Sequence, residues 1–163
     1  AIRFSGLSVN NVREISVRQA PFGMGTFEVM VVPEDRRYSD TTIAEVTNRI
    51  QRVAPVGVRW WVKAPVLRAM DISATIVVNN TVRGFEQISD QVSVGVRRYL
   101  NSLMPGEVLV YNKLIQAMME VSSAIQDVQI TRYAPNGVET VRRNFQPAQD
   151  EIIIPGRLEI STA

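Results

Sequence analysis

Lys63 and Lys113 are the chain's two lysines; histidine and cysteine are both absent, so a Ser-Lys arrangement is the one in which a hydroxyl nucleophile could find a base without His. A serine or threonine nucleophile needs such a partner. Neither lysine stands in a recognisable nucleophile motif, so the sequence reads as not an enzyme. The same absences remove disulfides, thiolate chemistry and Cys/His zinc sites. An oxygen-ligand metal site needs clustered carboxylates. Glu34, Asp35 and Asp40 come nearest, but they flank Arg36-Arg37 and precede a helix, where acids are favourable as caps. Gly23-x-Gly25 has the look of a phosphate loop. A strand follows it, not the helix N-terminus that would hold the anion, so it reads as a hairpin turn. Arg59, Trp60, Trp61 and Lys63 invite a nucleic-acid reading, since bases stack on exposed aromatics beside cations. Aromatic residues make up only 7% of the chain and the net charge is +2, a weak balance for binding a polyanion. The expectation is therefore no metal, no cofactor, no small-molecule ligand and no nucleic acid.

The elements that would position these residues follow from periodicity. Ile15 and Val17 alternate with polar neighbours, Pro21–Gly25 is turn chemistry, and Phe27, Val29 and Val31 share one face of a second strand. The spacing predicts a helix opened by Ser39-Asp40, with Thr42 and Glu45 at capping-box spacing and Ile43, Val46, Ile50 and Val53 on one stripe. Pro55 and Gly57 stop it. In the strand Val58–Lys63, Val58, Trp60 and Val62 share the core face, which leaves Arg59, Trp61 and Lys63 on the other. Pro65 interrupts the ladder. From Met70 to Val78 the alternation predicts another strand, closed by Asn79-Asn80.

After Gly84 a helix is expected, with Phe85, Ile88, Val92, Val96, Tyr99 and Leu103 inward. Gly95 within it reads as a close helix–sheet contact. Pro105-Gly106 ends that segment. A second helix is expected from Leu114 to Ile125, with Asn112 as its cap and Met118-Met119 as adaptable core filler. Val128–Tyr133 is a strand, Pro135-Asn136-Gly137 a turn, and Leu158–Ile160 a last strand. Residues 1–11 carry little pattern and read as an approach segment. Residues 138–151 have no clean period, and a loop of that length reads as a binding arm.

No apolar run approaches the roughly 20 residues of a membrane-spanning helix, so no membrane association is expected. Hydrophobic residues make up 45% of the 163, enough for a substantial core. The basic pairs Arg36-Arg37, Arg97-Arg98 and Arg142-Arg143 read as solvated faces. Ala-Pro closes three strands, at Pro21, Pro65 and Pro135, an echo that either duplication or chance would produce. The expected fold is α+β, with mixed sheets and helices packed on one face, in two modules at residues 1–64 and 65–163. Contacts with partners are expected from the hairpin tip (Phe22, Met24), from Arg59, Trp61 and Lys63, and from the arm (Val138, Arg142, Arg143, Phe145).

One longer pattern remains. Tyr99-Leu100-x-x-Leu103-x-Pro105-Gly106-Glu107, a helix, then Asp127-Val128-x-Ile130 resembles the baseplate J-like family. Gly23, Gly25 and Thr26 before Val29–Val32, and Ala54–Gly57 leading to Val62-Lys63-Ala64-Pro65, follow in the family's order. The likeness runs from about Gly6 to about Ile160. Ala124-Ile125 stands where members usually have Gly-Val, and members are often longer at the N-terminus, so this chain reads as a minimal or a truncated member. The resemblance implies a structural wedge subunit of contractile phage tail baseplates and related injection systems. It implies copies of itself and other wedge and hub proteins as partners. It places the protein in the virion, at the tail baseplate, after assembly in the host cytoplasm. The wedges would ring the central hub and pass on the trigger for sheath contraction. The other reading is a basic, aromatic-bearing nucleic-acid-binding domain.

Overall fold

The computed structural model describes residues 2–79 and 85–163; Asn80, Gly84 and the side chain of Phe85 lie outside the described residues. Residues up to Pro65 form one compact unit and Val66–Ala163 form another.

In the first unit the order is α1 (Ile2–Leu7), β1 (Val12–Gln19), β2 (Thr26–Pro33), a 3-10 turn (Arg36–Tyr38), α2 (Ser39–Gln51) and β3 (Arg59–Lys63). β1 and β2 pair as an antiparallel hairpin, and β3 joins the far side of β2 in parallel after the α2 crossover. Phe27, Val29 and Val31 meet Ile15 on one sheet face, and Val46 and Ile50 of α2 close over them. Trp60, Val58 and Val62 pack against this cluster.

Two local readings change. The patternless first residues form α1, whose six residues are too few for periodicity to show. Gly6 lets α1 approach: a Cβ there would collide with Ile15 Cδ1. Thr42 does not face solvent in a capping box. It is buried, and its hydroxyl accepts from Asn11 Nδ2 at 2.9 Å. Asn11 also accepts from the Asp35 N–H at 2.6 Å and donates to the Asp35 carbonyl at 3.0 Å, tying the start of β1 to the turn after β2. Asp35 caps the 3-10 turn through the Arg37 N–H, and its hydrogen bonds to Arg37 hold its carboxyl below the usual range. Val53 lies past the end of α2 and is exposed.

The second unit contains β4 (Val66–Val78), α3 (Phe85–Ser102), α4 (Tyr111–Met119), β5 (Ile125–Pro135) and β6 (Glu151–Thr162). β4 is central, antiparallel to β5 and parallel to β6. Met70, Ile72, Ala74, Ile76 and Val78 face a core completed by Ile88, Val92, Val96 and Leu100 of α3 and by Leu114 and Met118 of α4. The opposite face carries Asp71, Ser73 and Thr75, with Ser73 and Thr75 bonded to Glu159 and Ser161. One buried face and one wet face give the alternation its clarity. The fold is α+β, two mixed sheets with helices on one face. Among the described residues, no helix is long and apolar enough to cross a membrane.

Here too the structure corrects the sequence reading. The second helix ends at Met119, so Ile125 opens β5. Gly95 makes a close helix–helix contact, not a helix–sheet one: a Cβ there would lie 2.9 Å from Val121 Cγ2 and 3.1 Å from the Ala117 carbonyl oxygen. The last strand runs twelve residues, not three. Pro155-Gly156 hides it in the sequence. Met70 pairs with Pro155 but Ile72 with Leu158, so β6 carries one extra residue. The Arg157 N–H donates to Asp71 Oδ1 at 2.8 Å and so stays satisfied. A Cβ on Gly156 would collide with that carboxylate and sit 3.0 Å from the Met70 carbonyl. Gly156→Ala is expected to cost about 2 kcal/mol, as overpacking against backbone does, read as a lower urea midpoint.

Tyr133 is buried in this core, edge-on to Tyr111 at 5.7 Å, and burial pushes its hydroxyl above its ordinary range. That hydroxyl has no hydrogen-bond partner among the described residues. Tyr133→Phe is therefore expected to stabilise the protein by about 1 kcal/mol; a lower melting temperature would contradict the orphaned hydroxyl.

The two sheets share a plan, a central strand with one antiparallel and one parallel neighbour, but not a chain order. The central strand comes second in the first sheet and first in the other. Tandem duplication of one module would have preserved that order.

Candidate functional site

The hairpin tip is built by its turn residues. Gly23 and Gly25 have φ of 102° and 78°, and the Thr26 hydroxyl donates to the Gly23 carbonyl at 2.6 Å. This geometry leaves Phe22 70% and Met24 99% exposed. The Arg59 N–H donates to the Gly25 carbonyl at 3.0 Å, which sets the start of β3 beside the tip. Trp61, 42% exposed, meets the Phe22 ring edge-on at 5.1 Å. Trp60 points the other way and stacks on Phe27 at 6.3 Å.

The cations on this face differ in state. Glu28 is buried in the middle of β2, where Arg18 reaches it at 3.5 Å and Lys63 at 3.2 Å. Arg59 makes no ion pair among the described residues. The structure thus brings Phe22, Met24, Arg59 and Trp61 together at one end of the first sheet. Lys63 sits at the far end of β3, occupied with Glu28. Sequence reasoning did not find Glu28. An acid inside an otherwise apolar strand, opposite Arg18 in a hairpin, was the available signal.

The arm divides into two parts. Val138 and Val141 are 70% and 68% exposed, and Arg142 and Arg143 are exposed beside them. Beyond them the chain docks on its own unit. Leu109 and Phe145 exchange backbone hydrogen bonds at 2.9 Å, and the Phe145 ring packs against the core. Asn144 Oδ1 accepts from the Tyr111 N–H at 3.0 Å and so caps α4, the role expected of Asn112. Gln146 donates to the Gly106 carbonyl. At the arm's end Glu151 accepts from the Ala148 N–H and pairs with Arg68. These contacts, the Ala148 bond first, hold the Glu151 carboxyl below its ordinary 4.5. A depressed folded value contributes stability above the unfolded value and loses it as pH falls through the folded one. Glu151→Gln is expected to flatten the loss of stability below about pH 4.5, measured by urea midpoints across an acid series.

Among the described residues no group of three or more Asp or Glu is placed to hold a metal ion. Of the acids near the start of α2, Asp35 caps the 3-10 turn and pairs with Arg37.

The fold is similar to one found in a baseplate. A chain in the cryo-EM structure of the anti-feeding prophage (AFP) baseplate, 6-fold symmetrised, matches with a TM-score of 0.54 over 97% of this chain, at 15% identity. This chain covers 36% of that one. No family model matches the sequence, and no curated protein does. At that identity the likeness is one of fold.

Proposed function

We propose that this chain is a structural subunit of the baseplate of a contractile phage tail or a related injection system, working by assembly and not by catalysis. The observation that carries the reading is the fold likeness to a baseplate chain along nearly the whole of this one. Within that reading it is a wedge subunit of the baseplate J-like kind. It packs with further copies and with other wedge and hub proteins around the central spike, and passes on the trigger for contraction. Repeated interfaces with two arrangements switch a ring without any catalytic group.

The nucleic-acid reading is the weaker one. A strand-binding groove needs free cations beside free aromatic faces. Here Arg18 and Lys63 share the Glu28 carboxylate and Phe22 packs edge-on with Trp61, so of the cations on this face Arg59 alone makes no ion pair among the described residues.

Co-expression with the proteins encoded beside it, followed by negative-stain imaging, tests the proposal. Wedges or rings containing the chain are expected. A chain that stays monomeric in that mixture, and whose affinity for DNA falls steeply as salt rises, would replace it with the rival.

A further inference from the structure

The free edge of β3 is the least defended strand edge among the described residues. β6 carries Pro155 and a bulge within its length. β5 is covered in part by the arm, where the Thr140 N–H donates to the Tyr133 carbonyl and Arg142 donates to the Thr131 carbonyl. β1 is bulged near its start and packs on α1. β3 has no bulge and no proline, and within its own unit it packs chiefly on β2 and α2. Natural edges are blunted by just such prolines, bulges and covers.

Its hydrogen-bonding direction follows from the ladder. In a parallel pair, alternate residues turn their backbone groups to a given neighbour. The Arg59 N–H goes to Gly25, so Arg59, Trp61 and Lys63 bond toward β2. Trp60 and Val62 turn their N–H and C=O groups outward. The side chains beside that edge have a matching chemistry. Trp61 and Phe22 form a partly exposed aromatic pair, Met24 of the same hairpin tip is exposed, and Arg59 makes no ion pair among the described residues.

We propose that β3 accepts an added strand: an extended, acid-bearing segment of another protein pairs with Trp60 and Val62. That segment seats an apolar side chain on Trp61 and Phe22 and sets a carboxylate against Arg59. Two outward-facing residues make a short ladder, so main-chain bonds give direction and the aromatic and charged contacts give selectivity, as in other strand additions. The inference does not depend on the baseplate reading.

The test pans a displayed library of random short peptides against the full chain. Enriched sequences should alternate apolar residues and carry an acid. A synthetic copy should slow exchange of the Trp60 and Val62 amide protons by about tenfold or more. Val62→Pro removes a donor that faces outward and is no part of the β2 ladder, so it should weaken that peptide by about tenfold or more. Arg59→Glu provides a second variant if the first fails to fold, and it should switch enrichment from acidic to basic sequences. Failure to enrich any sequence overturns the proposal. So does equal binding by both variants, or protection confined to Phe22–Met24. A concentration-dependent dimer that protects the same two amides without peptide would assign the edge to a second copy, and that too overturns it.

Discussion

Trp60→Ala is expected to cost the first unit about 3 kcal/mol, while Trp61→Ala costs less than about 1 kcal/mol and weakens assembly instead. Adjacent residues in a strand face opposite ways, so the same substitution meets two environments. Trp60 lies against the core cluster and stacks on Phe27. It is half-buried, which puts the cost at the low end of the range for a buried tryptophan. Trp61 touches Phe22 and is otherwise partly wet. The two tryptophans are the only ones in the chain. Each variant therefore keeps one tryptophan, and urea titration of tryptophan emission, excited selectively over tyrosine, follows the first unit alone. The assembly arm is scored by negative-stain imaging of the co-expressed mixture. If Trp61→Ala unfolds the unit and Trp60→Ala does not, the β3 register is off by one residue, because a single step exchanges the two faces.

The same strand shows what the sequence made legible. Alternation in β4, the two faces of β3, and the stripe of Ile88, Val92 and Val96 in α3 are local signals that burial writes into the chain, whereas β2 is buried along both faces and alternates little. What stayed hidden depends on partners distant in sequence. α1 is defined by Gly6 meeting Ile15 and Val46, not by a period of its own. β6 reads as only the short strand Leu158–Ile160 because Pro155-Gly156 breaks the pattern, and only pairing with β4 shows that a bulge absorbs the extra residue. Thr42 looks like a capping-box residue until Asn11 claims its hydroxyl. At the candidate surface, the side of β3 that Trp61 faces was readable from period two. The ion pairing of Lys63 with Glu28 was not, because it needs the parallel register of β2 and β3.

The arm shows the difference most plainly, and it yields the second large effect. Its lack of period suggested a segment free to meet partners throughout. Instead Phe145 spends its ring on the core, while Val138 and Val141 remain outside. Phe145→Ala is expected to destabilise the second unit by about 2–3 kcal/mol, below the full cost for a buried phenylalanine because the ring is only partly buried. The backbone bonds to Leu109 and the Asn144 cap on α4 depend on that ring to hold the segment in place. Amide exchange at Tyr111 and Leu109 should therefore quicken in the same variant. Val138→Ser with Val141→Ser should leave stability within about 0.5 kcal/mol and act on assembly alone. Thermal melts and exchange rates separate the outcomes. Equal stability of Phe145→Ala and the parent chain would mean that the docked half contributes nothing. The whole segment, and not its tip, would then be available to a partner.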